Sequence, residues 1–163
     1  AANPDAIIVF KPHPDVEAGL RPGAVAPQDL VGLADVLVEN ADAAALFGKV
    51  EEVWTMTSLL GFEALLRGLK VTTTGAPFYA GWGLTTDKGR VPARRVRHVG
   101  LESLAHAALI DYPRYFDPVT QQPCPPEVVI DRLATGEGPA PSATNRALAK
   151  LQGMMASYSW LWR

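Results

Sequence analysis

A single cysteine, Cys124, occurs in the chain. An internal disulfide is excluded, and a structural zinc site built on thiolates has too few ligands. A lone thiol also fits a reducing compartment, so a cytoplasmic location is expected. Histidines are scarce too, three in all, and no His, Cys and carboxylate residues cluster at ligand spacing. Neither a metal nor another cofactor is expected. No apolar run approaches the ~18 residues of a membrane span. The first residues lack the charged start and long apolar stretch of a signal peptide. They also lack an initiator Met, and the chain is read as cut from a longer protein. Basic residues are not in excess, with 15 Lys and Arg against 17 Asp and Glu. Nucleic-acid binding therefore has no electrostatic support. Gly-x-Gly-x-x-Gly, Walker A and Gly-x-Ser-x-Gly sequences are all missing, which counts against a dinucleotide site, a P-loop and a serine hydrolase elbow.

The sequence does hold the makings of one ordinary folded domain. Its 163 residues are 48% hydrophobic and 20% charged, and a chain of this size buries roughly two-thirds of its unfolded surface. Ala6 to Phe10 is a short, β-branched apolar run, read as a buried strand. Lys11-Pro12-His13-Pro14-Asp15 follows at once, and its two prolines predict a strand-end loop. A helical turn is expected over Asp29 to Ala34, a strand over Val36 to Val38, and a helix over Ala43 to Phe47 capped by Asp42. Glu52 to Met56 reads as a strand. A helix to Leu66 follows, capped by Thr57 or Ser58 and stopped by Gly68. Leu69 to Thr74 is the next strand. Strand, helix and strand within about thirty residues make a βαβ unit, which implies a parallel sheet with helices on its faces. Gly75 to Gly89 is a glycine- and aromatic-rich loop. Helices are expected over Leu101 to Ile110 and Glu127 to Ala134. A domain over 1–135 is followed by a linker from Gly136 and a C-terminal helix carrying Trp160 and Trp162.

Three groups could carry chemistry. Lys11 and His13 sit just past the first strand, where open parallel sheets bind ligands. An ammonium and an imidazole suit a phosphate; the alternative is a solvated Lys and a capping His. Thr57 and Ser58 open a helix, whose N-terminus also attracts phosphate. Glu63, further along that helix, could reach ribose hydroxyls; the alternative is an ordinary cap and a helical Glu. Both groups lie at carboxyl ends of expected parallel strands, so one crevice could hold one phosphate between them. Phe78, Tyr79 and Trp82 could form a stacking wall, or could pin their own loop to the sheet. Arg90, Arg94, Arg95 and Arg97 could meet anions, but a solvated basic segment is the more common outcome.

Four blocks together resemble the KpsC/LipA capsule biosynthesis proteins. They are Phe10-Lys11-Pro12-His13-Pro14-Asp15, Thr57-Ser58-Leu59-Leu60-Gly61-Phe62-Glu63-Ala64-Leu65, Pro77 through Thr85, and Ala107 through Pro118. The resemblance covers about residues 5 to 133. It implies an α/β fold, a Rossmann-like parallel sheet with flanking helices, forming one half of a GT-B-like glycosyltransferase. It also implies transfer of the acidic sugar Kdo from CMP-Kdo to a phosphatidylglycerol-type glycolipid, building the β-Kdo linker of a capsular polysaccharide. By the same resemblance His13 and Lys11 contact the CMP phosphate, with His13 stabilising the leaving group. Thr57 and Ser58 complete that site, and Glu63 binds ribose. The key acidic residue is placed in the other half of the transferase module, so this chain alone is expected to be inactive. The implied location is cytoplasmic, peripheral to the inner membrane with the capsule complex. Two alternatives stay open: a transferase using another sugar nucleotide, and a non-catalytic scaffold or membrane-docking module, motivated by the Arg90 to Arg97 segment and the aromatic tail.

Overall fold

The computed structural model describes residues 3–137. The expected C-terminal helix, with Trp160 and Trp162, lies outside the described residues. Within the span read from sequence as one domain there are two compact units, one up to Ala41 and one from Asp42 onward. Each is described by itself.

In the first unit, β1 (Val9–Phe10) pairs in parallel with β2 (Val36–Leu37), Val9 opposite Val36 and Phe10 opposite Leu37. The strand is shorter than the Ala6 to Phe10 run, and Ile7 is exposed rather than buried. One reason is that the Ile8 amide donates to the Asp35 carboxylate at 2.7 Å. A side chain there replaces a ladder partner. The Lys11 to Asp15 segment was expected to be loop throughout, yet Pro14–Glu17 forms a helical turn, α1. Pro14 stands at its first position, where the missing N–H costs nothing and the fixed φ suits a helix.

The second unit is built on a parallel sheet of β3 (Glu52–Thr55), β4 (Lys70–Thr73) and β5 (Thr86–Asp87), in that order. Helix α2 (Leu59–Leu66) makes the crossover from β3 to β4. Ser58 starts it by accepting a hydrogen bond from the Leu60 amide at 3.2 Å, and Gly68 follows its end at φ 77°. Gly61, Phe62, Ala64 and Leu65 form its buried face. Phe62, Ala64 and Leu65 pack with Phe47, Val71, Tyr79 and Leu104 into the core. Strand β5 was not legible, being two residues inside a glycine-rich loop. Together the sheets are α/β and Rossmann-like, with parallel strands and flanking helices.

Helix α3 (Leu101–His106) was expected to run on to Ile110, but the chain widens into a π turn over Ala107–Asp111. The Tyr112 amide closes that turn on the Ala107 carbonyl at 3.0 Å, and the Tyr115 hydroxyl donates to the Leu109 carbonyl at 2.6 Å. Helix α4 (Pro126–Thr135) ends on Gly136 at φ 72°. Its Arg132 holds the loop before it through a fork, Nε and Nη2 each 3.3 Å from a different oxygen of Asp117.

Asp117 is buried, and its carboxyl is held below the usual range first by the Val119 amide and also by Arg132. Glu17 is lowered as well, chiefly by Lys11. A carboxylate with a depressed folded pKa adds stability above its unfolded value of about 4, lost as pH falls through the folded value. Thermal midpoints are therefore expected to be level above about pH 5 and to fall in stronger acid. Asp117→Asn should flatten the acid limb. An unchanged acid limb in that variant, followed by circular dichroism, would remove Asp117 from the account.

Candidate functional site

Lys11 and His13 belong to the first unit, and Thr57, Ser58 and Glu63 to the second. His13 is the residue that caps α1: its Nδ1 accepts the Asp15 amide at 3.1 Å. With Nδ1 occupied as an acceptor, the neutral ring carries its proton on Nε2 and has a donor to offer there. The side chain is 41% exposed, so a ligand can reach it. Lys11 differs. Its ammonium lies 2.8 Å from Glu17 Oε2 and 3.2 Å from the Pro12 carbonyl, and its side chain is only 10% exposed.

In the second unit, Ser58 is the cap and Thr57 precedes it. Thr57 is exposed, and its Cγ2 lies against Gly75, where an added Cβ would sit 2.8 Å from it and 2.7 Å from the Met56 carbonyl oxygen. The Ser58 hydroxyl accepts from Leu60 but retains its own proton for donation. Glu63 is half-buried on α2, and its carboxylate makes no hydrogen bond or ion pair among the described residues. That leaves both oxygens able to accept from a hydroxyl-bearing ligand.

The loop after β4 is pinned by its own aromatics. Tyr79 is fully buried and donates its hydroxyl to the Ser58 carbonyl at 2.6 Å. Burial disfavours the phenolate and pushes its pKa up to about 12. Phe62 and Phe78 meet edge-on at 4.9 Å, and Phe78 and Tyr79 at 5.2 Å. The Trp82 indole donates to the Phe78 carbonyl at 2.7 Å.

Two supports of this loop escaped sequence reasoning. Arg95 was grouped with a solvated basic segment. Its guanidinium instead donates to the Pro77 and Ala80 carbonyls at 2.6 and 2.8 Å and lies 5.6 Å from the Trp82 ring. Arg90, Arg94 and Arg97 are exposed, as a solvated segment requires. Asp87 accepts from Thr73, Thr85 and the Gly81 amide. The available signal was the loop itself, whose many turning carbonyls and amides need partners once aromatics bury them. Among the described residues no His, Cys, Asp and Glu group of three or more is placed to hold a metal, and no helix is long and apolar enough to cross a membrane.

Comparison with known proteins gives a consistent picture. Capsule polysaccharide modification protein LipA of Neisseria meningitidis serogroup B is 51% identical over 120 residues, which are 74% of this chain and 17% of that protein. The lipopolysaccharide-processing protein LpsZ of Rhizobium meliloti is 49% identical over 113 residues, 69% of this chain and 26% of that protein. A solved structure, the Thermosulfurimonas dismutans KpsC β-Kdo 2,7 transferase, superposes with a TM-score of 0.71 at 37% identity, covering 83% of this chain and 43% of that one. The β-Kdo 2,4 transferase of the same organism's KpsC gives 0.68 at 36% identity, covering 81% and 41%. The chain thus spans less than half the length of each of these relatives. Residues 1–115 match the family described as capsule polysaccharide biosynthesis protein, and the chain belongs to that family.

Proposed function

We propose that this chain is the donor-nucleotide-binding part of a Kdo transferase acting in capsule synthesis. The observation that carries this reading is the 37% identity, over 83% of the chain, to a β-Kdo transferase of the same fold. The proposed donor is CMP-Kdo, and the proposed acceptor is a phosphatidylglycerol-type glycolipid. His13 after β1, and Thr57, Ser58 and Glu63 after β3, are the proposed contact residues, with Lys11 part of the His13 turn. His13 donates from Nε2 to the phosphate, and this donation stabilises the negative charge that grows there as CMP departs. Glu63 accepts from ribose hydroxyls. Transfer needs more of the length that the relatives possess, including the remaining half of a transferase module, so the chain alone binds the donor without turning it over. Work at the cytoplasmic face of the inner membrane, as a peripheral member of a capsule complex, is part of the same proposal.

Calorimetric titration with CMP, with UMP as control, tests it. CMP should bind selectively, and His13→Ala should weaken it by about ten- to a hundredfold, the value of one hydrogen bond to a charged group. Equal binding of UMP would favour another sugar nucleotide. No binding of either by folded protein would overturn the reading and move a scaffold role forward.

A further inference from the structure

We infer that Glu17 is a positioning residue for the His13 turn, and that Lys11 serves the site through Glu17 rather than by its own contact with phosphate. This rests on the donor-binding reading of that turn. Lys11 precedes His13 and Glu17 follows it, and their side chains close over the turn at 2.8 Å, 10% and 14% exposed. The second Glu17 oxygen accepts the Asn40 amide at 3.0 Å, where Asn40 holds a left-handed φ of 51° just beyond β2. One carboxylate therefore ties the start of the turn to the exit of the neighbouring strand. Two of the ammonium's three donors are taken, by Glu17 and the Pro12 carbonyl. Its charge is already matched at hydrogen-bond distance. A lysine so paired and so little exposed is poorly placed to attract a second anion. The exposed His13 ring, held by the Asp15 amide, has the outward donor instead.

Glu17→Gln separates the two roles by sign. If Lys11 met the phosphate itself, removing its counter-charge would strengthen anion binding. As a positioning residue, Glu17 must accept from both Lys11 and Asn40. A glutamine has one carbonyl oxygen for these two donors, so the turn loosens. CMP titration of the full chain is expected to show about tenfold weaker binding in Glu17→Gln, on the scale of one lost charge-assisted bond. Hydrogen exchange should be faster at the Asn40 amide. Lys11→Met leaves the Glu17 bond to the Asn40 amide in place. It should therefore weaken CMP binding less than Glu17→Gln does.

Tighter CMP binding in Glu17→Gln, or a Lys11→Met variant weaker than Glu17→Gln, would overturn the assignment and return Lys11 to direct contact. Unchanged binding in Glu17→Gln would overturn it as well. Failure of the unsubstituted chain to bind CMP would overturn the donor-site reading itself, and this assignment with it.

Discussion

Gly61→Ala is expected to destabilise the unit from Asp42 onward by about 2 kcal/mol, although alanine is the better helix former by ~1 kcal/mol. Gly61 lies on the buried face of α2, and a Cβ built there runs into the Tyr79 hydroxyl and comes 2.9 Å from both Tyr79 Cζ and Thr55 Cγ2. None of these atoms yields easily. Tyr79 is fully buried and anchored on the Ser58 carbonyl, and Thr55 is on β3. The helix and the aromatic loop approach each other this closely because the side chain between them is a hydrogen. Overpacking in such a place costs ~1–3 kcal/mol, and rigid neighbours favour the upper part of that range. The midpoint of thermal unfolding should fall by roughly 8–16 °C for a unit of about a hundred residues.

The mechanism is separable from a mere loss of helix stability by a double-mutant cycle. Tyr79→Phe alone should cost about 1 kcal/mol, one hydrogen bond to a buried carbonyl. In the Gly61→Ala background the same change also removes the clashing oxygen, so its cost should vanish or reverse. A coupling of about 1 kcal/mol or more is expected. Strictly additive costs would show that the two positions do not press on one another, and that the helix is held by something else.

Parts of this structure were open to a sequence reading because they rest on local chemistry. Ser58 announces α2 by the cap that serine makes, and Gly68 marks its end by the left-handed φ it allows. The β3–α2–β4 unit follows from apolar runs of the right length, and the blocks around His13, Ser58 and Tyr79 were enough to name a family. What could not be read depends on partners distant in sequence. Whether Lys11 is a solvated charge depends on where Glu17 and Asn40 bring their groups, six and 29 positions away. Arg95 looks like its exposed neighbours Arg94 and Arg97 in composition, and differs only because the Pro77 and Ala80 carbonyls face it. Strand β5 has two residues and no apolar pattern; its pairing with β4 at Thr72 and Thr73 creates it. The π turn after His106 likewise follows from where Tyr112 closes, not from any breaker within Ala107–Asp111.

Asp87→Ala carries the other large expected effect, about 3–5 kcal/mol, because one carboxylate serves three donors. Oδ1 accepts from the Thr73 hydroxyl at 3.0 Å and the Thr85 hydroxyl at 2.7 Å, and Oδ2 accepts from the Gly81 amide at 2.9 Å. Thr73 has no exposed surface, so water cannot easily replace the lost acceptor. Gly81 turns the loop at φ 82°, with Val91 and Arg95 against it, and its amide has to be held in that conformation. Releasing it should loosen the segment from Tyr79 to Trp82 before the sheet itself opens. Faster hydrogen exchange at Gly81 and its neighbours should therefore accompany the lower stability, while α4 and the Asp117–Arg132 fork keep their protection. Asp87→Asn should cost less, since one carbonyl oxygen still accepts, though its amide group then faces a donor. A loss below about 1 kcal/mol in Asp87→Ala would mean that the cost of desolvating this carboxylate nearly cancels its three bonds. In that case the loop would be held mainly by its buried aromatics and by Arg95, and Arg95→Ala would become the more damaging of the two changes.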